Sequence, residues 1–136
     1  MESFFLHYII FIPFVAYVIA TLLKGIFLWK KKIFNVATML STGGMPSGHS
    51  ALVSSIATAV GIKYGPFDDH FAIVLVFAAI VIYDAMNIRY QSGLHAHALN
   101  KIRGEKQLNE SLGHLPSETL AGSIVGVLVA AGLMYI

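Results

Sequence analysis

Long stretches of this chain carry no charged side chain, and the polar breaks between them are short. Phe4 to Leu23 is uncharged, Phe71 to Tyr83 stays apolar until Asp84, and Thr119 to Ile136 is uncharged to the end. A helix of about 20 apolar residues crosses roughly 30 Å of hydrocarbon, so these runs have or approach spanning length. A fourth region, His49 to Ile62, is shorter and rich in small residues. It crosses only if its ends lie buried in protein, because backbone polar groups facing lipid find no partner. The pattern predicts an all-α integral membrane protein of about four transmembrane helices, with residues 1–136 as a single transmembrane domain.

Composition agrees, with 57% hydrophobic and 12% charged residues against about half and a quarter in soluble domains. There is no cysteine, which excludes disulfides and thiolate metal sites. Phe4 to Leu23 lacks the basic flank and small-residue cleavage site of a signal peptide, so it is expected to stay as a helix. The formal net charge of +2 says little by itself, and no nucleic-acid partner is expected.

The placement of charge says more. Lys24, Lys30, Lys31 and Lys32 fall in the first loop, Arg89, Lys101, Arg103 and Lys106 in the third, and only Lys63 lies opposite. The positive-inside rule then makes these two loops cytoplasmic and puts both termini outside, in what is expected to be a bacterial plasma membrane. The bland reading of the lysine run at 30 to 32 is topology and contact with lipid headgroups.

Placed by side, the polar residues converge. Lys24 is expected to end the first helix and the corner "GGMPSGH" to open the second. Asp84 and Arg89 close the third, and His114 with Glu118 open the fourth. Ionisable groups at membrane depth usually mark function, because burying them is costly. In the corner, Gly43 and Gly44 permit unusual backbone angles, and Pro46 suits a first helical turn whose free amides would face an anion. Ser47 adds a hydroxyl, and His49 can give or take a proton near neutral pH. A capped helix start with a polar histidine at headgroup level is the plainer reading.

In "GHLPSETLAGSIVG", His114 and Glu118 stand four apart, so a helix beginning near His114 would put them on one face. The carboxylate would hold one ring nitrogen and leave the other for attack or proton transfer, as in a catalytic triad. Alone, the pair also reads as an interfacial helix cap. Gly122 and Gly126 continue the four-residue interval and read as close helix packing.

Together, "GGMPSGHSA", "YDAMNIRYQSG", "ALNKI" and "ESLGHLPSETLAG" resemble the divergent branch of the type 2 phosphatidic acid phosphatase superfamily, which is related to acid phosphatases and vanadium-dependent haloperoxidases. The resemblance runs from about Lys24 to Gly126. It implies a helical, metal-independent and cofactor-free phosphatase acting on lipid phosphates through a phosphohistidine. It aligns "PSGH" with Pro46 to His49, implying that Ser47 and Gly48 help to hold phosphate and that His49 protonates the leaving oxygen. It implies that His114 is the nucleophile, that Glu118 stands where the superfamily has aspartate, and that Lys24 neutralises phosphate charge. Lys31 and Lys32 stand where the superfamily has arginine and proline, and Leu108 where it has arginine. Arg89, oriented by Asp84, is the expected replacement clamp.

Of the other histidines, His7 lies in the first span, His70 in the outer turn, and His95 and His97 in the cytoplasmic loop, with no partner legible for any of them. His95 and His97 lack a clear third ligand for a metal. Asp68 and Asp69 are expected to solvate the outer turn. Residues His97 to Gly113 read as a short amphipathic cytoplasmic connector that also covers the site. The expected partners are a lipid phosphate substrate and membrane lipids. The sequence leaves open whether the site is enclosed by one chain or by a homo-oligomer, and whether the chain instead binds or transports anionic phospholipid, or is a structural subunit.

Overall fold

The computed structural model describes residues 4–41 and 43–136; Met1 to Ser3 and Thr42, in the polar corner, lie outside them. The helices in chain order are α1 (Phe4–His7), α2 (Ile12–Lys30), α3 (Val36–Leu40), α4 (Gly48–Tyr64), α5 (Asp69–Met86), α6 (Ile88–Arg103) and α7 (Pro116–Tyr135), with a 3-10 turn at Ile9–Phe11. Three segments, Ile9–Lys30, Asp69–Arg103 and Pro116–Tyr135, are long and apolar enough to cross a membrane.

The short α4 is the centre of the bundle: α7 packs along it, and α2 and α5 flank it. Its alanines and serines explain why. Ala51, Val53, Ser55, Ala57, Ala59 and Val60 are buried, and small side chains let neighbouring helices approach closely. The Gly122 to Gly126 interval on α7 answers them. A Cβ on Gly122 would run into the Ser47 backbone carbonyl, and one on Gly126 into that of Ala51. The packing role expected for these glycines is therefore found. By contrast, α5 leaves Ile73, Val76, Phe77 and Ile80 exposed, which suits a helix facing lipid.

Several boundaries differ from expectation. The first apolar run is not one helix from Phe4 to Leu23: Pro13 sits at the start of α2, and its missing N–H and ring restart the helix there. At its other end α2 runs on to Lys30, so Lys24 lies inside the helix rather than ending it. Pro46 precedes Ser47, the N-cap of α4, instead of occupying the first turn. Asp68 caps α5 by accepting from the His70 amide at 2.9 Å. It also pairs with the His70 ring at 2.6 Å, so His70 has a partner after all. The amphipathic connector begins at Ile88, one residue beyond α5, and its helix ends at Arg103, leaving 104–115 as an irregular strap.

Candidate active site

The site gathers the middle of α2, the start of α4, the α5–α6 junction and the segment that leads into α7. A small cavity of about 50 Å³ opens among them, lined by Tyr17, Thr21 and Lys24 of α2, by Met39, Leu40 and Ser41, by Pro46, Gly48 and His49, and by His114. That volume admits a few waters.

Lys24 is only 5% exposed, and its Nζ donates to the Ser41 carbonyl at 2.6 Å. This bond is what lets α2 continue past a buried ammonium, since such a charge is tolerated only with a partner. Gly44 makes the approach possible. Its φ is +94°, and a Cβ there would stand 3.0 Å from Lys24 Cε, so a side chain would be strained in backbone and crowded against the lysine.

Ser47, fully buried, spends its hydroxyl on the helix. Its Oγ accepts from the Ser50 amide at 3.3 Å and from the Ser50 hydroxyl at 3.0 Å. It does not line the cavity, because the N-cap position turns the hydroxyl to the helix's own amides. The first-turn amides of Gly48 and His49 have no acceptor among the described residues, as the start of a helix leaves them. The His49 ring stands edge-on to Tyr17 at 6.3 Å between centroids.

His114 does not lie in a helix. It sits two residues before α7, whose N-cap is Leu115, and yet it meets Glu118. Glu118 Oε2 accepts from His114 Nδ1 at 3.1 Å and from the Leu115 amide at 3.0 Å. The pairing therefore comes from a capping carboxylate reaching back over the helix start, not from a shared helical face. Gly113 sets up the entry: with φ +81° it lies so close to the Tyr90 backbone that no side chain fits. The His114 amide then donates to the Ala85 carbonyl at 3.0 Å. Burial lowers the His114 imidazole from its ordinary value, Lys24 adding to the fall, while Glu118 and the Gly44 carbonyl hold it part-way up. Held below its ordinary value, the ring favours its neutral form at pH 7, and with Nδ1 turned to Glu118, Nε2 is the ring nitrogen that Glu118 does not hold.

Arg89 and Asp84 form the expected pair, Nε to Oδ2 at 2.7 Å, but neither lines the cavity. The reason is the short break at Asn87: α5 ends at Met86, so Arg89 rides in the first turn of α6. The pair lies beside the site, next to the Ala85 carbonyl that holds His114. Its Nε bond to Asp84 is the only hydrogen bond Arg89 makes through its side chain among the described residues, which leaves its terminal amino groups free for an anion.

Sequence reasoning missed Tyr17 and Thr21. With Lys24 they recur at intervals of four and three, the helical spacing of a single face, and that polar stripe inside an apolar span was a usable signal. It also gave His97 no partner, although its Nδ1 lies 3.0 Å from Glu110 Oε2; that contact joins α6 to the strap across 13 residues.

Residues 5–129 match the family described as "Divergent PAP2 family". The "Uncharacterized membrane protein YuiD" of Bacillus subtilis (strain 168) is 34% identical, over 70% of this chain and 73% of its own. No solved structure matches the chain. A family match across nearly the whole chain, on a helical bundle of membrane-spanning length, identifies a multi-pass membrane protein that belongs to the divergent PAP2 family, a branch of a phosphatase-related superfamily.

Proposed function

We propose that this protein is a metal-independent phosphatase of lipid-borne phosphate monoesters or diphosphates, working through a phosphohistidine. The observation that carries the reading is the meeting of Lys24, His49 and His114 around one cavity, with Glu118 on the far nitrogen of His114.

The chemistry follows from those positions. Phosphate enters against the Gly48 and His49 amides, and the Lys24 ammonium moves from the Ser41 carbonyl to the phosphate oxygens. His114 Nε2 forms the bond to phosphorus as the bond to the leaving oxygen breaks, and His49 supplies that oxygen's proton. Water then attacks the phosphohistidine, giving its proton to His49 and releasing phosphate and His114. Fixed cations and amides stabilise the charge spread over the equatorial oxygens. Glu118 stabilises the imidazolium character that His114 gains as it is phosphorylated. The basic loops favour a cytoplasmic position for this end of the bundle by the positive-inside rule, and a substrate whose tail stays in lipid would reach it there from the membrane plane.

A phosphate-binding membrane protein without turnover is the second reading, favoured by the position of Arg89 outside the cavity. Phosphate release from lipid phosphates by purified protein separates the two. The expected result is release that survives chelator and is inhibited by vanadate, because five-coordinate vanadate mimics the in-line transition state. No group of three His, Asp or Glu among the described residues is placed to hold a metal. Activity lost in chelator and restored by one metal would overturn the mechanism.

The rate should also fall on the acid side. His114 is held below the ordinary imidazole value of 6.5, so the neutral nucleophile persists at pH 7 and is lost only as pH drops below about 6.5. Stability falls in the same direction, since the unfolded chain takes up that proton more readily than the folded one. A pH–rate profile of kcat/KM checks this; an acid limb centred above the ordinary value would contradict it.

A further inference from the structure

The motif "ALNKI" has so far no role, and Asn100 at its centre is one of the few buried polar residues, 5% exposed. It lies on α6, away from the cavity, and the hydrogen bonds of its side chain are all directed at the strap that leads to His114. Its Oδ1 accepts from the Leu108 amide at 2.9 Å and the Gln107 amide at 3.2 Å. Its Nδ2 donates to the Leu108 carbonyl at 2.9 Å and to Glu110 Oε1 at 2.8 Å. An amide side chain has two donors and one acceptor oxygen, and here each is in use.

From that clasp the strap is laid back along α6 towards the site. Glu110 is held a second time by His97. Gly93 lets the strap backbone press on α6: a Cβ there would stand 2.8 Å from the Glu110 carbonyl oxygen and 3.0 Å from that of Leu112. Gly113 packs on the Tyr90 backbone, and His114 ends the path on Ala85. The strap has no regular secondary structure of its own between Gly104 and Leu115, so α6 supplies its order.

We propose that Asn100 is a positioning residue for the reaction: by clasping residues 107–110 to α6 it sets where the strap delivers His114 beside Glu118 and the cavity. The inference rests on the reading of His114 as nucleophile. Asn100 touches no reacting atom, so its effect on the reaction passes through the strap that carries His114. A displacement of about 1 Å at a reacting group can lower a rate about 100-fold.

The test compares Asn100→Asp, Asn100→Ala and the double variant Asn100→Asp/Glu110→Gln in purified full-length protein at pH 7. Asn100→Asp keeps the shape and the acceptors but loses both donors and faces Glu110 with a second carboxylate. Adding Glu110→Gln returns a donor to that contact with its direction reversed. Two readouts are taken. The first is the rate at which diethyl pyrocarbonate carbethoxylates His114, read by mass spectrometry with His70 at the opposite end of the bundle as internal control. It needs no turnover and so remains decisive if the protein proves to be a binder. The second is the split between kcat and KM for a lipid phosphate.

Asn100→Asp and Asn100→Ala are expected to raise His114 labelling about tenfold, as for a local opening that has lost hydrogen bonds, with His70 unchanged. kcat falls about 100-fold while KM stays within a few-fold. The double variant moves both readouts part of the way back. Unchanged His114 labelling in both single variants would overturn the proposal. So would equal gains at His114 and His70, which mean general loosening, or a double variant no better than Asn100→Asp.

Discussion

Replacing His114 by alanine is expected to stop phosphate release while leaving phosphate affinity within a few-fold of wild type. The site separates the two roles physically. Binding draws on Lys24 and the Gly48 and His49 amides, none of which His114 supports directly, while bond formation to phosphorus falls to the His114 ring. Loss of a covalent nucleophile typically lowers kcat on the order of 10⁴-fold or more. The fold should tolerate the change, because Glu118 keeps its bond to the Leu115 amide and still caps α7. Arg89→Ala should behave differently, raising KM more than it lowers kcat, since a flanking cation holds ground and transition states alike. Both are read from steady-state phosphate release and from equilibrium binding of inorganic phosphate. Wild-type turnover in His114→Ala would end the phosphohistidine reading, and turnover absent from wild type, with phosphate still bound, would favour the binder.

Much of this site was legible in the chain because hydropathy alone assigns residues to one end of a bundle. Lys24, His49 and His114 are far apart in sequence, but each stands where an apolar run begins or ends, and antiparallel helices bring such ends together. What hydropathy could not give is which side chains face one another within that end. Lys24 looked like a helix boundary because a charge ends an apolar run; the Ser41 carbonyl that allows it to stay buried lies 17 residues away and leaves no local pattern. Ser47 looked like a phosphate ligand, and its conversion to an N-cap follows from α4 starting at Gly48, two residues beyond Pro46. Arg89 fell outside the cavity for a similar reason, the helix break at Asn87. The strap was the least readable part. It is ordered by Asn100, by the His97–Glu110 contact and by glycine contacts across α6, none of which produces periodicity.

The glycines of α7 offer a prediction with equally large effect on the fold. Gly→Ala within a helix ordinarily stabilises by up to about 1 kcal/mol, because alanine loses less backbone entropy on folding. Gly132 should follow that rule, since nothing lies within 4 Å of a Cβ built there. Gly126 should reverse it. A Cβ on Gly126 meets the backbone of Ala51, with the carbonyl carbon and Cα both 3.0 Å away and the oxygen closer still, and backbone cannot rotate aside as a long side chain can. Insertion into a packed contact costs about 1–3 kcal/mol, and here α7 must also part from the central helix that it packs along. Gly126→Leu should therefore lower the thermal midpoint in detergent by roughly 5–10 °C, or prevent recovery of folded protein. Gly126→Ala should shift it in the same direction by less, and Gly132→Ala should leave it unchanged or raised. The site should fail along with the fold, because the Ser47 amide donates to the Glu118 carbonyl at 3.0 Å across the same interface. Separating α4 from α7 thus draws His49 away from His114. A Gly126→Leu protein as stable and as active as Gly132→Ala would show that the two helices do not meet at Ala51 and Gly126, and the cavity built on their contact would fall with it.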